Sequence, residues 1–116
     1  MVVSNYLKQI TAYGLKDDIT YITIGSGSGT VANTDTTLNH EMDRQSITAA
    51  YSGTLYRVKF QGDWNSMEMS GLTLKEWGLI GSYTALTGSV YTHTVLPSIS
   101  FDGTNELRIE ETIIIY

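Results

Sequence analysis

The sequence predicts a mostly β chain, folded as a single-domain antiparallel β-sandwich or barrel of about six to seven strands with a short N-terminal helix. Three observations carry that prediction. The residue mix is rich in glycine, tyrosine, threonine and serine with a single proline, a recipe suited to pleated, half-buried surfaces. Several short runs alternate apolar and polar residues with a period of two. Turn pairs such as Ser52-Gly53 and Asp102-Gly103 punctuate those runs.

Each element follows in order. Val3, Tyr6, Leu7, Ile10 and Tyr13 recur at helical spacing, with Ser4 or Asn5 placed to cap and Gly14 placed to stop, so a helix is predicted over 4–13. A helix this short is marginal by itself and must dock on its own sheet or on a neighbouring subunit. The β domain spans about 19–116. Ile19–Ile24 is its first strand, and Gly25-Ser-Gly-Ser-Gly29 breaks it. Thr30–Asp43 is polar, with Leu38 and Met42 four apart, which predicts a loop containing one helical turn. Ser46–Ser52 and Thr54–Gly62 form a hairpin around Ser52-Gly53. In its second arm Tyr56, Val58 and Phe60 face one way while Arg57, Lys59 and Gln61 face the other.

Met67–Ser70 and Leu72–Ile80 read as further strands, with Gly71 as a break or bulge. Gly81–Ser89 is a loop. Val90–Leu96 is a strand ended by Pro97, which cannot continue a central ladder. The closing segment, Glu106–Tyr116, puts Leu107, Ile109, Ile113 and Ile115 on one face, interrupted by Glu111. Its length predicts the longest and most central strand. No repeat or linker divides the 116 residues, so one domain covers 1–116.

Composition narrows the function classes. A formal charge of −5 opposes nucleic-acid binding, which needs a basic stripe to displace counterions. No run of about 18 apolar residues is available to span a membrane. Met1-Val-Val-Ser-Asn-Tyr6 lacks a basic segment leading into an apolar one, so export by a signal peptide is not expected. The absence of cysteine removes disulfides and thiolate metal sites.

Chemical motifs fall short in their details. The Gly25–Gly29 loop lacks the third glycine of a dinucleotide fingerprint and the Gly-Lys-Ser/Thr of a P-loop, so a flexible turn is expected rather than a ligand cradle. It is not a nucleophile elbow, because Gly27 stands where the serine belongs. His40-Glu41-Met42-Asp43 is dense in potential ligands, but His93 is the only other histidine and lies far along the chain. An ion pair with Arg44 is expected there, and no metal or other cofactor. Asp63, Glu68, Glu76, Glu106, Glu110 and Glu111 supply many carboxylate pairs and single out none. Trp64 and Trp77 offer a sugar platform, although aromatics on strands more often fill cores or interfaces. Glu111, among isoleucines, needs a rim position, a cation from Arg44, Arg57, Lys59 or Arg108, or a subunit contact.

The order of several short motifs resembles small tailed-bacteriophage virion proteins of tail-fibre-like or capsid-decoration-like type. Tyr21-Ile-Thr-Ile-Gly25-Ser-Gly27, Asp35-x-x-Leu38, Glu41 and Arg44 resemble the opening signature. Val58-Lys-Phe60, Asn65–Gly71, Leu74-Lys-Glu-Trp-Gly-Leu79 and Ile99–Ile109 resemble later segments, so the likeness spans about 3–116. Trp77 and Ile80 depart from the pattern, and a shaft or receptor-binding segment of the kind a true fibre carries is not expected from these 116 residues. The resemblance implies a non-enzymatic structural subunit of the virion, made in the host cytoplasm. Its implied partners are capsid or tail proteins and copies of itself, a trimer being the favoured cyclic form. Tyr6, Leu7, Ile10, Glu111, Ile113, Ile115 and Tyr116 are the interface candidates. A carbohydrate- or host-surface-binding module using Trp64 and Trp77 is the alternative.

Overall fold

The computed structural model describes residues 4–32, 34–52, 56–81 and 88–116. Val3, Gly53, Thr54 and most of the Gly81–Ser89 loop lie outside the described residues. The chain runs α1 (Asn5–Asp18), β1 (Tyr21–Gly25), β2 (Glu41–Ser46), β3 (Thr48–Ser52), β4 (Arg57–Trp64), α2 (Ser66–Met69), β5 (Thr73–Ile80), β6 (Thr94–Ser100) and β7 (Leu107–Ile114). One antiparallel sheet has the order β2-β1-β5-β6 and the other β3-β4-β7. The predicted β-sandwich with an N-terminal helix is the architecture observed.

The apolar core lies between the sheets. Ile22, Ile24 and Leu79 from one sheet meet Val58, Phe60, Trp64 and Ile109 from the other. Gly62 faces Ile22 so closely that a Cβ there would sit 3.0 Å from its Cδ1, which sets the local sheet separation. The alternation predicted for the fourth strand holds, with Val58 and Phe60 buried and Arg57 and Lys59 exposed. Tyr56 stands just outside that strand, in a left-handed conformation with φ 48°. A single residue, Ile47, separates β2 from β3 and carries the chain from one sheet to the other; its N–H donates to the Thr20 carbonyl.

Several expectations change. Thr30–Asp43 holds no helical turn among its described residues, and from Glu41 onward it is strand β2, paired with β1. Met67–Ser70 is not a strand: Asn65 accepts from the Glu68 N–H while Glu68 reaches back to the Asn65 N–H. That reciprocal cap nucleates the short helix α2. Pro97 does not end the eighth element but lies inside β6. It is tolerated there because β6 is an edge, and because two steps on β5 (Leu74 to Glu76) face four on β6 (Ile99 to Val95), leaving the proline in a bulge. Gly71 serves a turn, with φ +79°, rather than a bulge. The last strand shares the greatest length, eight residues, with β4 and β5, but it is an edge rather than central, since β4 is the middle strand of its sheet.

Ser4 caps α1, its Oγ accepting from the Leu7 N–H at 3.2 Å. The helix runs past Gly14 to Asp18, so the glycine is an interior helical residue. A Cβ at Gly14 would meet nothing within 4 Å. Gly14→Ala therefore removes backbone freedom from the unfolded chain without a clash, and a gain of about 0.5–1 kcal/mol is expected in urea unfolding.

Candidate functional site

The register of β1 against β5 places Thr23 opposite Gly78 and Gly25 opposite Glu76. Partners in such a pair share a face, and Ile22 and Ile24 take the opposite one toward the core. Glu76 therefore points away from the second sheet, beneath the loops that follow β1 and precede β6. It is completely buried.

An ionised carboxylate in that position needs donors, and the chain supplies them. The N–H groups of Gly27, Asn39 and His40 donate to Glu76 at 2.8, 2.7 and 2.7 Å. His93 Nε2 adds a contact of 2.8 Å to Oε1, and His93 Nδ1 lies 2.9 Å from Asp35 Oδ2. Each ring nitrogen faces a carboxylate oxygen, so both contacts form together when both nitrogens carry a proton. Burial pushes the Glu76 carboxyl upward, but the bonds from His40, Asn39, His93 and Gly27 outweigh it and hold the group below the usual carboxylate range. Asp35 is also held low, first by the Ala32 N–H and then by His93.

The glycine spacing has its cause here. A Cβ on Gly25 would come 2.6 Å from Glu76 Oε2, and one on Gly27 would come 2.4 Å from the same atom. The Gly25–Gly29 segment is thus a cradle after all, filled by the chain's own carboxylate, and this corrects the expectation of a plain flexible turn. Gly78 plays a related part, since a Cβ there would approach the Thr92 carbonyl to 2.3 Å.

A second buried polar group lies on the same face. Thr23 Oγ1 donates to Glu41 Oε2 at 2.7 Å, and the Arg44 guanidinium grips both Glu41 oxygens through Nε and Nη2. The expected Arg44 ion pair is present, with both side chains more than nine-tenths buried. Thr23, Glu41, Arg44, His40, Leu38 and Val90 help to line a cavity of about 340 Å³. Among the described residues no three His, Asp or Glu side chains are arranged to hold a metal ion.

Ser26 Oγ lies 2.6 Å from His40 Nδ1, the start of a nucleophile–base pair. Transition-state stabilisation would need free donors nearby. The three neighbouring N–H groups, of Gly27, Asn39 and His40, already serve Glu76. These three donors are committed to an internal ligand.

The other carboxylates scatter. Asp63 pairs with Arg108 at 2.7 Å and Glu110 with Lys59 at 3.2 Å. Glu68 belongs to the α2 cap, and Glu106 is exposed. Glu111 faces inward among the isoleucines and accepts from Thr92 Oγ1 at 3.1 Å, while that oxygen accepts from the Leu79 N–H. Burial pushes the Glu111 carboxyl up, and the Thr92 bond only partly offsets it. Trp64 is no sugar platform, being 1% exposed with its Nε1 donating to Asp43. Trp77 is half-buried against the core. Ile113 and Ile115 also pack on the core of their own domain, whereas Tyr6, Leu7, Ile10 and Tyr116 are exposed.

A scan against protein-family models finds no match to this chain, and a search of curated proteins finds no matching sequence.

The two shifted carboxylates act in opposite senses on stability. Glu76, held low, contributes above the ordinary carboxylate range and loses that contribution as pH falls through its folded value. Glu111, held high, imposes a cost that appears as pH rises from the ordinary range through its folded value. Glu76→Gln is expected to cost about 3 kcal/mol at neutral pH and to flatten the acid limb of a stability–pH curve. Glu111→Gln is expected to stabilise at neutral pH, with the gain vanishing on acidification. Denaturant titrations from pH 3 to 8 check both.

Proposed function

We propose that this chain is a non-enzymatic structural subunit of a tailed-phage virion, working through protein–protein contacts as a tail or baseplate adaptor or as a capsid decoration. One observation supports the assembly role above the others. The strongly apolar face of α1, with Tyr6, Leu7 and Ile10 at 72, 46 and 46% exposure, is turned to solvent and away from the sheets. Taking a fully exposed apolar side chain out of water is worth roughly 1.5–3 kcal/mol, and covering the part of this row still exposed gains a fraction of that at each residue, which favours association.

The inner polar network supports the non-catalytic part of the proposal. Its carboxylates and histidine bond one another or the backbone, which is a means of fixing loops. The phage assignment rests on the resemblance in motif order. The residues that carry it include Gly25 and Gly27, which pack on the buried Glu76 carboxylate, Asp35, which is joined to it through His93, and Glu41 with Arg44, which pair beside it.

The test is particle composition. Purified virions of the source phage are expected to contain the chain, with hundreds of copies per particle for a capsid decoration and a few to tens for a tail part. Ile10→Asp, at an exposed site, is expected to leave the far-UV circular dichroism unchanged and to reduce incorporation at least tenfold. Virions without the chain, by quantitative mass spectrometry, would refute the assignment.

A further inference from the structure

The helix α1 packs on the body by its weaker face. Successive residues turn about 100° around a helix. Lys8, Ala12, Leu15 and Lys16 therefore share one side, and this is the side that meets the domain: Ala12 is buried and Leu15 packs on the core. The Lys8 ammonium lies 5.9 Å from the Tyr56 ring centroid. Tyr6, Leu7 and Ile10 lie on the opposite side, with Tyr13 at its margin, its ring 4.5 Å from that of Tyr51. Tyr6, Ile10 and Tyr13 keep the four-then-three spacing of a coiled-coil seam.

The charges at the two ends of that seam point to its occupant. Asp17, seven residues beyond Ile10, continues the seam's line, and Asp18 follows it. Both acids stand at the helix C-terminus, where the helix dipole disfavours negative charge. The first turn, where the dipole favours it, holds no acid. Lys16 supplies the last turn with one cation, on the side packed against the body, but the two acids outnumber it there while the first turn has none. Two α1 helices laid antiparallel, with Ile10 against Ile10, correct both ends at once, because Asp17 of each copy then lies just beyond the N-terminal end of the other helix, on the positive side of its dipole. A parallel pair or parallel trimer instead stacks Asp17 on Asp17.

We infer that the outward face of α1 is the contact between two copies of this chain, arranged as a two-fold antiparallel helix pair. This rests on the assembly role proposed above and names its first partner. The contact is isologous, so each copy contributes Tyr6, Leu7, Ile10 and Asp17 to the same surface.

Light scattering of the full chain is expected to give twice the monomer mass at micromolar concentration. The chain has no cysteine, so single cysteines report neighbours without background. Under oxidation, a mixture of Tyr6→Cys and Gly14→Cys chains is expected to cross-link, while Tyr6→Cys alone does not. Asp17→Lys/Asp18→Lys should weaken the dimer at least tenfold, as should Asn5→Glu, and mixing those two variants should restore pairing. Restoration also shows that each variant is folded.

A monomer at all concentrations, a trimer, or Tyr6→Cys cross-linking to itself would each overturn the antiparallel pair. A monomeric chain that still enters particles through α1 would overturn this inference and leave the assembly role standing. A dimer whose Ile10→Asp variant fails to pair yet enters particles normally would support the pair and overturn the helix's part in assembly.

Discussion

The buried carboxylate of Glu76 is the constraint around which one side of the molecule is organised. An ionised group with no solvent contact is tolerated only where donors replace water. Here those donors come from the loop after β1, the segment before β2 and the segment before β6. Folding this side therefore requires three stretches, distant in sequence, to arrive together at one strand. The network works as a tether for loops in a place where an apolar core would give no directional preference.

This arrangement also gives the first sheet two different faces. Toward the second sheet, β1 presents Ile22 and Ile24 to a dry core. On its other side Thr23 and Gly25 lie under polar groups that are paired with one another. A strand covered on both sides reads as a nearly continuous buried run, and β1 is buried from Ile22 through Gly25. Glu111 shows the contrasting case of a carboxylate facing inward with one hydroxyl partner in evidence, and its upward shift reflects that poorer company.

The sandwich was legible because alternation, as in Val58, Phe60 and their exposed neighbours, reports a strand directly. Elements governed by caps and edges were less so. The capping pair Asn65 and Glu68 was visible as Asn-x-x-Glu, yet Met67 and Met69 suggested a strand when read by hydrophobicity alone. Pro97 reads as a stop in the sequence because edge position depends on strand order, which is a tertiary property. The polar centre was the hardest part, since most of its donors are backbone N–H groups that have no sequence signature. The one available clue was steric: two glycines two apart after a strand, and a lone glutamate within a buried strand, each explained by the other. His93 and Asp35 are 58 positions apart, and no local pattern joins them.

The passage at Ile47 has its own consequence. With one residue between β2 and β3, the two sheets are threaded on what is nearly a continuous ribbon. Inserting or deleting a residue at this corner would turn one of those strands over, exchanging its inward and outward side chains. A replacement at this corner is therefore far less disruptive than any change in its length.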